Sequence, residues 1–268
     1  MKYCSVNGQQ QTEIAVTERG LAYGDGIFTT AKIVNGEIVL LNKHIERLTL
    51  GCQQLKLQVP FMAKLTAQLQ SLARAYPLAV LKVIITAGSG GRGYSRIGLN
   101  DNASNVIIMI SDFPSHYTAL AQQGINLGDS KQQISISPML AGLKHLNRLE
   151  QVLFRAELDE RIEDDLIVTN YLGEVIEVTS SNLFYWLDGH LCTPDLTTSG
   201  VDGIIRQAIL AKYPQIKVCH TKLVELKQAP AMFICNSLMG IVPVKTYNNN
   251  LLTMDAVLQL QNEMKDFI

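Results

Sequence analysis

The run AGLKHLNRLEQVL, residues 141–153, sets Lys144 between a short apolar stretch and a segment with helical patterning. Downstream, VIEVTSSNLF, residues 175–184, carries Glu177 inside an otherwise apolar, hydroxyl-rich strand. A carboxylate in such surroundings needs a partner or a protonated ligand atom, because burying an unpaired charge is costly. Upstream, HIERL carries Arg47, and near the C-terminal end CNSL, residues 235–238, reads as a turn. Together these groups can clamp a charged aromatic cofactor from three sides.

The chain has 268 residues, 47% of them hydrophobic and 18% charged, with a formal charge of −1. That length supports a sizeable core in one large domain or two smaller ones. Near-neutral charge offers no whole-chain attraction for nucleic acid or an anionic membrane. No stretch approaches the ~18 apolar residues of a membrane span. The opening MKYCSVNGQQ lacks the apolar run of a signal peptide, so a cytoplasmic protein is expected. The cysteines, Cys4, Cys52, Cys192, Cys219 and Cys235, are odd in number, have no CxxC spacing and read as reduced core residues. The histidines form no HExxH, and no metal site is expected. Asn102-Ala103-Ser104 matches a glycosylation pattern but reads as a loop.

Residues 1–7 read as a strand followed by a turn at Gly8-Gln9, and AKIVNGEIVLL has Asn35-Gly36 between two apolar runs, a hairpin signal. Leu41, Ile45, Leu48, Cys52 and Leu55 recur at spacings of four and three, predicting a helix with Asn42 as its cap and Arg47 beside the apolar stripe. FMAKLTAQLQSLARAY predicts a second helix, and AVLKVIITAGSG and NVIIMISDFP predict strands. GINLGDSKQQISISP reads as strands, and NRLEQVLFRAELDERI as a helix burying Leu149, Val152, Leu153 and Ala156. DLIVTN and EVIEVTSSNLFYWL read as a hairpin around Leu172-Gly173. VDGIIRQAILAKY reads as a helix with Gly203 in its first turn, followed by strands at KVCHTKL, AMFICNS and IVPV. The pattern predicts an α+β chain in two domains: a smaller α/β one over 1–113, a linker at 114–118, and a larger β-rich one over 119–268.

GSGGRGYS, residues 88–95, is glycine-rich but has no GK[ST] and runs from strand to strand, so it is neither a Walker A loop nor a dinucleotide fingerprint. It reads either as a flexible connection or as a mobile loop that aims Arg92 and Tyr94 into a pocket. An arginine fork suits carboxylates because it binds both oxygens. One cofactor unites the remaining residues. Pyridoxal phosphate needs a lysine to bond its aldehyde, an acid to keep its ring nitrogen protonated, and an arginine, hydroxyls and backbone N–H groups for its phosphate. Helix starts provide such N–H groups, and Gly203-Ile204-Ile205 and Asn236-Ser237-Leu238 are suitable places.

The segments YGDGIFTTAKI, HIERL, GLKHLNRLEQVL, EVTSSNLF, GVDGIIRQ and CNSLMGIVPV lie in this order between residues 23 and 244. In that order they resemble the fold-type IV pyridoxal-phosphate enzymes, which include branched-chain and D-amino-acid aminotransferases. The resemblance implies the two-domain, D-amino-acid-aminotransferase-like architecture and a homodimer. It implies Lys144 as the cofactor-bonding residue, Glu177 as partner of the ring nitrogen, and Arg47, Ile204, Ile205 and Ser237 as phosphate ligands. GSGGRGYS, GLKHLNRLEQVL and FTTA resemble the family's lyase branch, which releases 4-aminobenzoate and pyruvate from 4-amino-4-deoxychorismate on the way to folate. Phe28-Thr29-Thr30-Ala31 replaces the FEGIR run of the transaminases, and Cys235-Asn236-Ser237-Leu238 their GTA-like turn. On the lyase reading Thr30 assists proton transfer. Neighbouring strand residues face opposite ways, which leaves Thr29 the weaker of the pair. The substrate's two carboxylates fall to Arg92 with Tyr94, and more weakly to Arg148. A D-amino-acid or branched-chain transaminase is the rival enzyme. A non-catalytic small-molecule binder that kept the scaffold is the rival of another class.

Overall fold

The computed structural model describes residues 1–99 and 104–265. The Asn102-Ala103 part of the glycosylation pattern lies outside the described residues. The fold is mixed α+β and divides into two compact units. Met1–Pro114 together with Lys144–Asn147 forms the first, and Ser115–Leu143 together with Arg148–Ile268 the second.

The first unit holds β1 (Tyr3–Val6), β2 (Gln9–Gln10), α1 (Arg19–Tyr23), β3 (Gly26–Val34), β4 (Glu37–Ile38), α2 (Leu41–Gln54), α3 (Met62–Ala73), β5 (Leu78–Thr86) and β6 (Asn105–Ser111). Its sheet has the order β2-β1-β6-β5-β3-β4. Every pairing is antiparallel. The Asn35-Gly36 hairpin forms as predicted, with φ of 52° and 81° at the two turn residues. Positive φ at both centres is what a two-residue turn matched to strand twist requires.

Strand alternation decides what β3 shows to each side. Ile27, Ala31 and Ile33 join a core with Leu48 and Cys52 of α2 and Leu69 of α3. Phe28, Thr30 and Lys32 occupy the other face and are only half-buried. The predicted apolar stripe of α2 is present, with His44 buried beside Leu48 and Cys52. Asn42 does not cap this helix. The chain turns at Leu40 in a left-handed conformation (φ 53°), so the helix starts earlier and Asn42 falls inside its first turn.

The second unit holds α4 (Tyr117–Gln123), β7 (Ile125–Ile134), α5 (Leu149–Asp159), β8 (Asp165–Asn170), β9 (Val175–Val178), β10 (Asn182–Leu187), β11 (His190–Pro194), α6 (Ile204–Lys212), β12 (Lys217–Cys219), α7 (Leu223–Leu226), β13 (Met232–Asn236), β14 (Gly240–Tyr247), β15 (Asn250–Leu251) and α8 (Asp255–Met264). The sheet order is β12-β11-β10-β13-β14-β7-β8-β9, with β15 beside β14. Its core gathers Leu183, Tyr185, Met232, Ile234, Val242 and Val244.

Three expectations are corrected here. EVIEVTSSNLFYWL is two strands, not one: β9 pairs with β8, whereas β10 pairs with β11 and β13. The buried Asp165 makes the break by accepting hydrogen bonds from both the N–H and the hydroxyl of Thr179. Gly203 is the N-cap of α6 rather than a first-turn residue.

The third correction concerns α5, which buries Phe154 and Leu158, not the predicted face. Leu149, Val152 and Leu153 remain 70%, 60% and 47% exposed, and Ala156 is exposed with them. The helix carries two apolar stripes. Phe154, the bulkiest side chain, enters the cluster of Ile134, Val168, Ile176 and Leu196, and the stripe on the far side is left outside.

The cysteines Cys4, Cys52, Cys192 and Cys235 are buried and unbonded, and Cys219 is half-buried. No helix among the described residues is long and apolar enough to cross a membrane.

Candidate active site

In the first unit, Lys144 is held by backbone pairing against β3. The Phe28 N–H donates to the Lys144 carbonyl at 2.9 Å, and the Leu146 N–H to the Gly26 carbonyl at 3.0 Å. Asn147 Nδ2 adds a bond to the Gly24 carbonyl at 3.2 Å. Gly24 sits at φ 62°, and a Cβ there would overlap the Asn147 amide, so only glycine fits this approach. The result is a short antiparallel addition to the strand, with Ile27 opposite His145.

This pairing places the Lys144 ammonium 4.9 Å from the centroid of the Phe28 ring. Thr30 shares a strand face with Phe28, so alternation brings Thr30 to the lysine's side of the sheet. Thr29 points the other way: its hydroxyl meets His44 Nδ1 at 2.6 Å in the core. Lys82, the cross-strand partner of Thr30, also lies 4.9 Å from the Phe28 ring. Phe28 and Lys82 were not legible as site residues, because nothing in the sequence reveals which strand lies beside β3.

Arg47 follows His44 by one helical turn and is half-buried. Burial drives the His44 pKa down to about 3, and the Arg47 charge adds to that effect. His44 is therefore neutral at working pH and adds no charge beside Arg47. Arg92 and Tyr94 lie on an exposed loop, with Tyr94 88% exposed.

In the second unit, Glu177 is 6% exposed, and its Oε2 accepts the Val201 N–H at 2.9 Å. The 200–202 loop is fixed in turn by Gly142, whose N–H donates to Gly200 and whose carbonyl accepts from Asp202. Asn182 Nδ2 holds the Val201 carbonyl at 2.7 Å. α6 opens at Gly203 without a side-chain cap. The first N–H groups of such a helix have no partner within it and favour an anion. A Cβ on Gly203 would overlap Asn182 Oδ1, and the Asn182 amide is pinned by Val201, so the residue must be glycine.

Arg206 anchors α6 through bonds to Asp202, Thr193 and the Pro194 carbonyl. Ser237 sits in a turn shaped by Asn236, whose Oδ1 accepts the N–H groups of Leu238 and Met239 and whose Nδ2 donates to Ser181. Arg148, at the N-cap of α5, donates to the Leu143 carbonyl at 3.3 Å. Burial lowers its pKa, and the carboxylates of Glu177 and Glu150 work against that shift. Arg148 thus belongs to the surroundings of Glu177 and is not on an outer helix face. Ser181, Asn182, Val201 and Asn236 complete this arrangement. Sequence reasoning named Asn236 only as part of a turn and missed Ser181, Asn182 and Val201 as functional residues, though all of them stand within segments it had singled out.

The donor set suits pyridoxal phosphate on the structure's own terms. The second unit offers a buried carboxylate fixed by a backbone N–H, and an uncapped helix start kept open by glycine. The first unit offers a lysine on an ordered backbone.

The chain belongs to the class IV aminotransferase family, whose pattern matches residues 26–247. An aminodeoxychorismate lyase from Vibrio harveyi is 36% identical over 244 residues, covering 89% of each chain. The crystal structure of 4-amino-4-deoxychorismate lyase from Pseudomonas aeruginosa superposes with a TM-score of 0.92 at 34% identity, covering 99% of each chain. The branched-chain amino acid aminotransferase of Escherichia coli, at 22% identity, shares the fold with a TM-score of 0.85, covering 99% of this chain and 94% of its own.

Proposed function

We propose that this chain is a pyridoxal-phosphate-dependent lyase that converts 4-amino-4-deoxychorismate to 4-aminobenzoate and pyruvate, a step toward folate. The similarity to the Vibrio harveyi and Pseudomonas aeruginosa lyases supports the substrate. The observation that carries the chemistry is the placing of the Lys144 ammonium beside Phe28, on the strand face that also bears Thr30.

Lys144 would bond the cofactor's aldehyde, and Glu177 would keep its ring nitrogen protonated. Arg47, the N–H groups of Ile204 and Ile205 and the Ser237 hydroxyl hold its phosphate. When bound, pyridoxal phosphate would supply an aldehyde to hold the substrate amine and a ring that accepts the electrons left as a proton leaves the carbon bearing that amine. Lys144 Nζ is the base that takes that proton. Thr30 assists the passage of that proton from the Lys144 ammonium to the departing enolpyruvate oxygen, a contribution worth ~10²–10⁴-fold in rate for a positioned donor. Loss of one proton and of enolpyruvate leaves the ring aromatic, so no second substrate is needed. Arg92 with Tyr94, and Arg148, hold the two carboxylates.

The chain acts as a homodimer in the cytoplasm on this reading. The exposed stripe of Leu149, Val152, Leu153 and Ala156 on α5 supports association, since monomers rarely leave such a face open to water.

The test supplies purified holoenzyme with aminodeoxychorismate generated from chorismate, and quantifies 4-aminobenzoate and pyruvate. Equal release is expected. No release from a folded, yellow protein overturns the lyase reading, and conversion of an amino acid to its keto acid would then identify a transaminase. A colourless protein in which borohydride fixes nothing to Lys144 would identify a non-catalytic binder.

A further inference from the structure

The segment 88–98 is unlike the strands that flank it. Gly88, Gly90, Gly91, Gly93 and Gly98 all have positive φ. Such a run has wide conformational freedom in the unfolded chain and little of its own to hold one shape. Yet three consecutive carbonyls of this exposed loop are captured by one buried side chain. Arg19, 2% exposed, donates from Nη1 to the carbonyls of Gly93 at 3.1 Å and Ser95 at 3.3 Å, and from Nη2 to that of Tyr94 at 3.0 Å. Its third nitrogen, Nε, donates to Asp25 Oδ2 at 2.9 Å.

Asp25 also receives Arg96, whose Nε donates to Oδ2 at 2.9 Å and whose Nη2 donates to Oδ1. Arg96 Nη1 then reaches the carbonyls of Leu55 at 2.7 Å and Lys56 at 3.1 Å, just past the end of α2. One carboxylate thus orients two arginines. One gathers the loop backbone and the other ties the loop to the rest of its unit. The aromatic rings continue the contact: Tyr94 meets Tyr23 edge-on at 5.5 Å, and the Arg19 guanidinium lies 4.8 Å from the Tyr23 ring centroid. A Cβ on Gly91 would come within 3.3 Å of Arg19 Nη1, so the loop closes tightly around this group.

The two arginines spend their donors on backbone carbonyls and Asp25, which makes them poor candidates for holding a substrate. What they fix is the stretch bearing Tyr94 and following Arg92. We propose that Arg19, Asp25 and Arg96 are positioning residues that set the glycine-rich loop in the shape that presents Arg92 and Tyr94 to a substrate carboxylate. This rests on the reading of Arg92 and Tyr94 as substrate ligands. Arg19 and Asp25 act on the substrate only through that loop.

The test uses holoenzyme carrying Asp25→Asn, which keeps the shape of the side chain and removes its charge. Arg96→Lys, at a partly exposed position, is a second and milder variant. Steady-state kinetics and the rate of limited trypsin cleavage after Arg92 are both measured. Asp25→Asn is expected to raise KM about tenfold or more while kcat stays within about threefold, the pattern of lost binding rather than lost chemistry. Cleavage in the loop should accelerate about tenfold, with the cofactor absorbance retained. Arg96→Lys should move KM and cleavage after Arg92 in the same direction by less. An unchanged KM in Asp25→Asn overturns the proposal. So does a joint loss of kcat and cofactor, which marks a general structural role. Wild-type protein that makes no 4-aminobenzoate overturns the functional reading instead. The clamp is then judged on loop cleavage alone: acceleration supports it, and an unchanged rate overturns it.

Discussion

Lowering the pH from 7 to 5 should cost this protein about 2 kcal/mol of stability through His44 alone. The side chain is 3% exposed, and its pKa falls from 6.5 to about 3. Burial is the larger cause and the nearby Arg47 charge the smaller. With the folded pKa depressed, the unfolded chain binds the proton and the folded chain refuses it. Stability is therefore full above pH 6.5 and declines as pH falls toward 3. At pH 5 the unfolded imidazole lies about 1.5 pH units below its own pKa, and at about 1.36 kcal/mol per unit this gives the ~2 kcal/mol. The assay is urea unfolding of wild type and His44→Asn at both pH values. The variant lowers stability at pH 7 by losing the Thr29 contact. The quantity of interest is how much further each protein falls at pH 5. Wild type should fall about 2 kcal/mol more than the variant, since other titrating groups cancel in the comparison. Equal falls would refute the reasoning, and would mean that His44 is protonated within the folded protein.

Lys144→Ala should abolish turnover and prevent borohydride from fixing the cofactor to the protein; wild-type-like activity would remove the lysine from the mechanism. Glu177→Gln should retain cofactor but slow proton abstraction, read as a lower kcat in single-turnover kinetics. Gly203→Ala drives a Cβ into Asn182 Oδ1, so α6 must shift and cofactor affinity should drop, measurable by titrating the apoprotein. Leu153→Arg, on the exposed stripe of α5, should shift the protein toward monomer in light scattering; an unchanged mass would place the subunit contact elsewhere.

Local chemistry made much of this protein legible. The Asn35-Gly36 turn needs no tertiary help, because asparagine and glycine tolerate positive φ. The α2 stripe and the β3 alternation follow from periodicity, and alternation alone separated Thr30 from Thr29. Glu177 stood out because a carboxylate in an apolar strand demands a partner, and Lys144 and Arg47 joined it through the needs of one cofactor and the family resemblance. The structure then supplied what periodicity cannot. Both apolar stripes of α5 satisfy a helical pattern, and only the shape of the waiting cluster around Val168 and Ile176 admitted Phe154 rather than Leu153. The end of β9 depended on the carboxylate of Asp165, a residue of another strand. The loop at 88–98 read as flexible because its order resides in Arg19 and Asp25, far away in sequence. The sequence by itself determined most of the elements and the family, since these depend on residue type, short spacing and the order of motifs. Tertiary structure alone decided which apolar face is covered, where strands break and what holds the loop, because each is a contact between residues that only folding brings together.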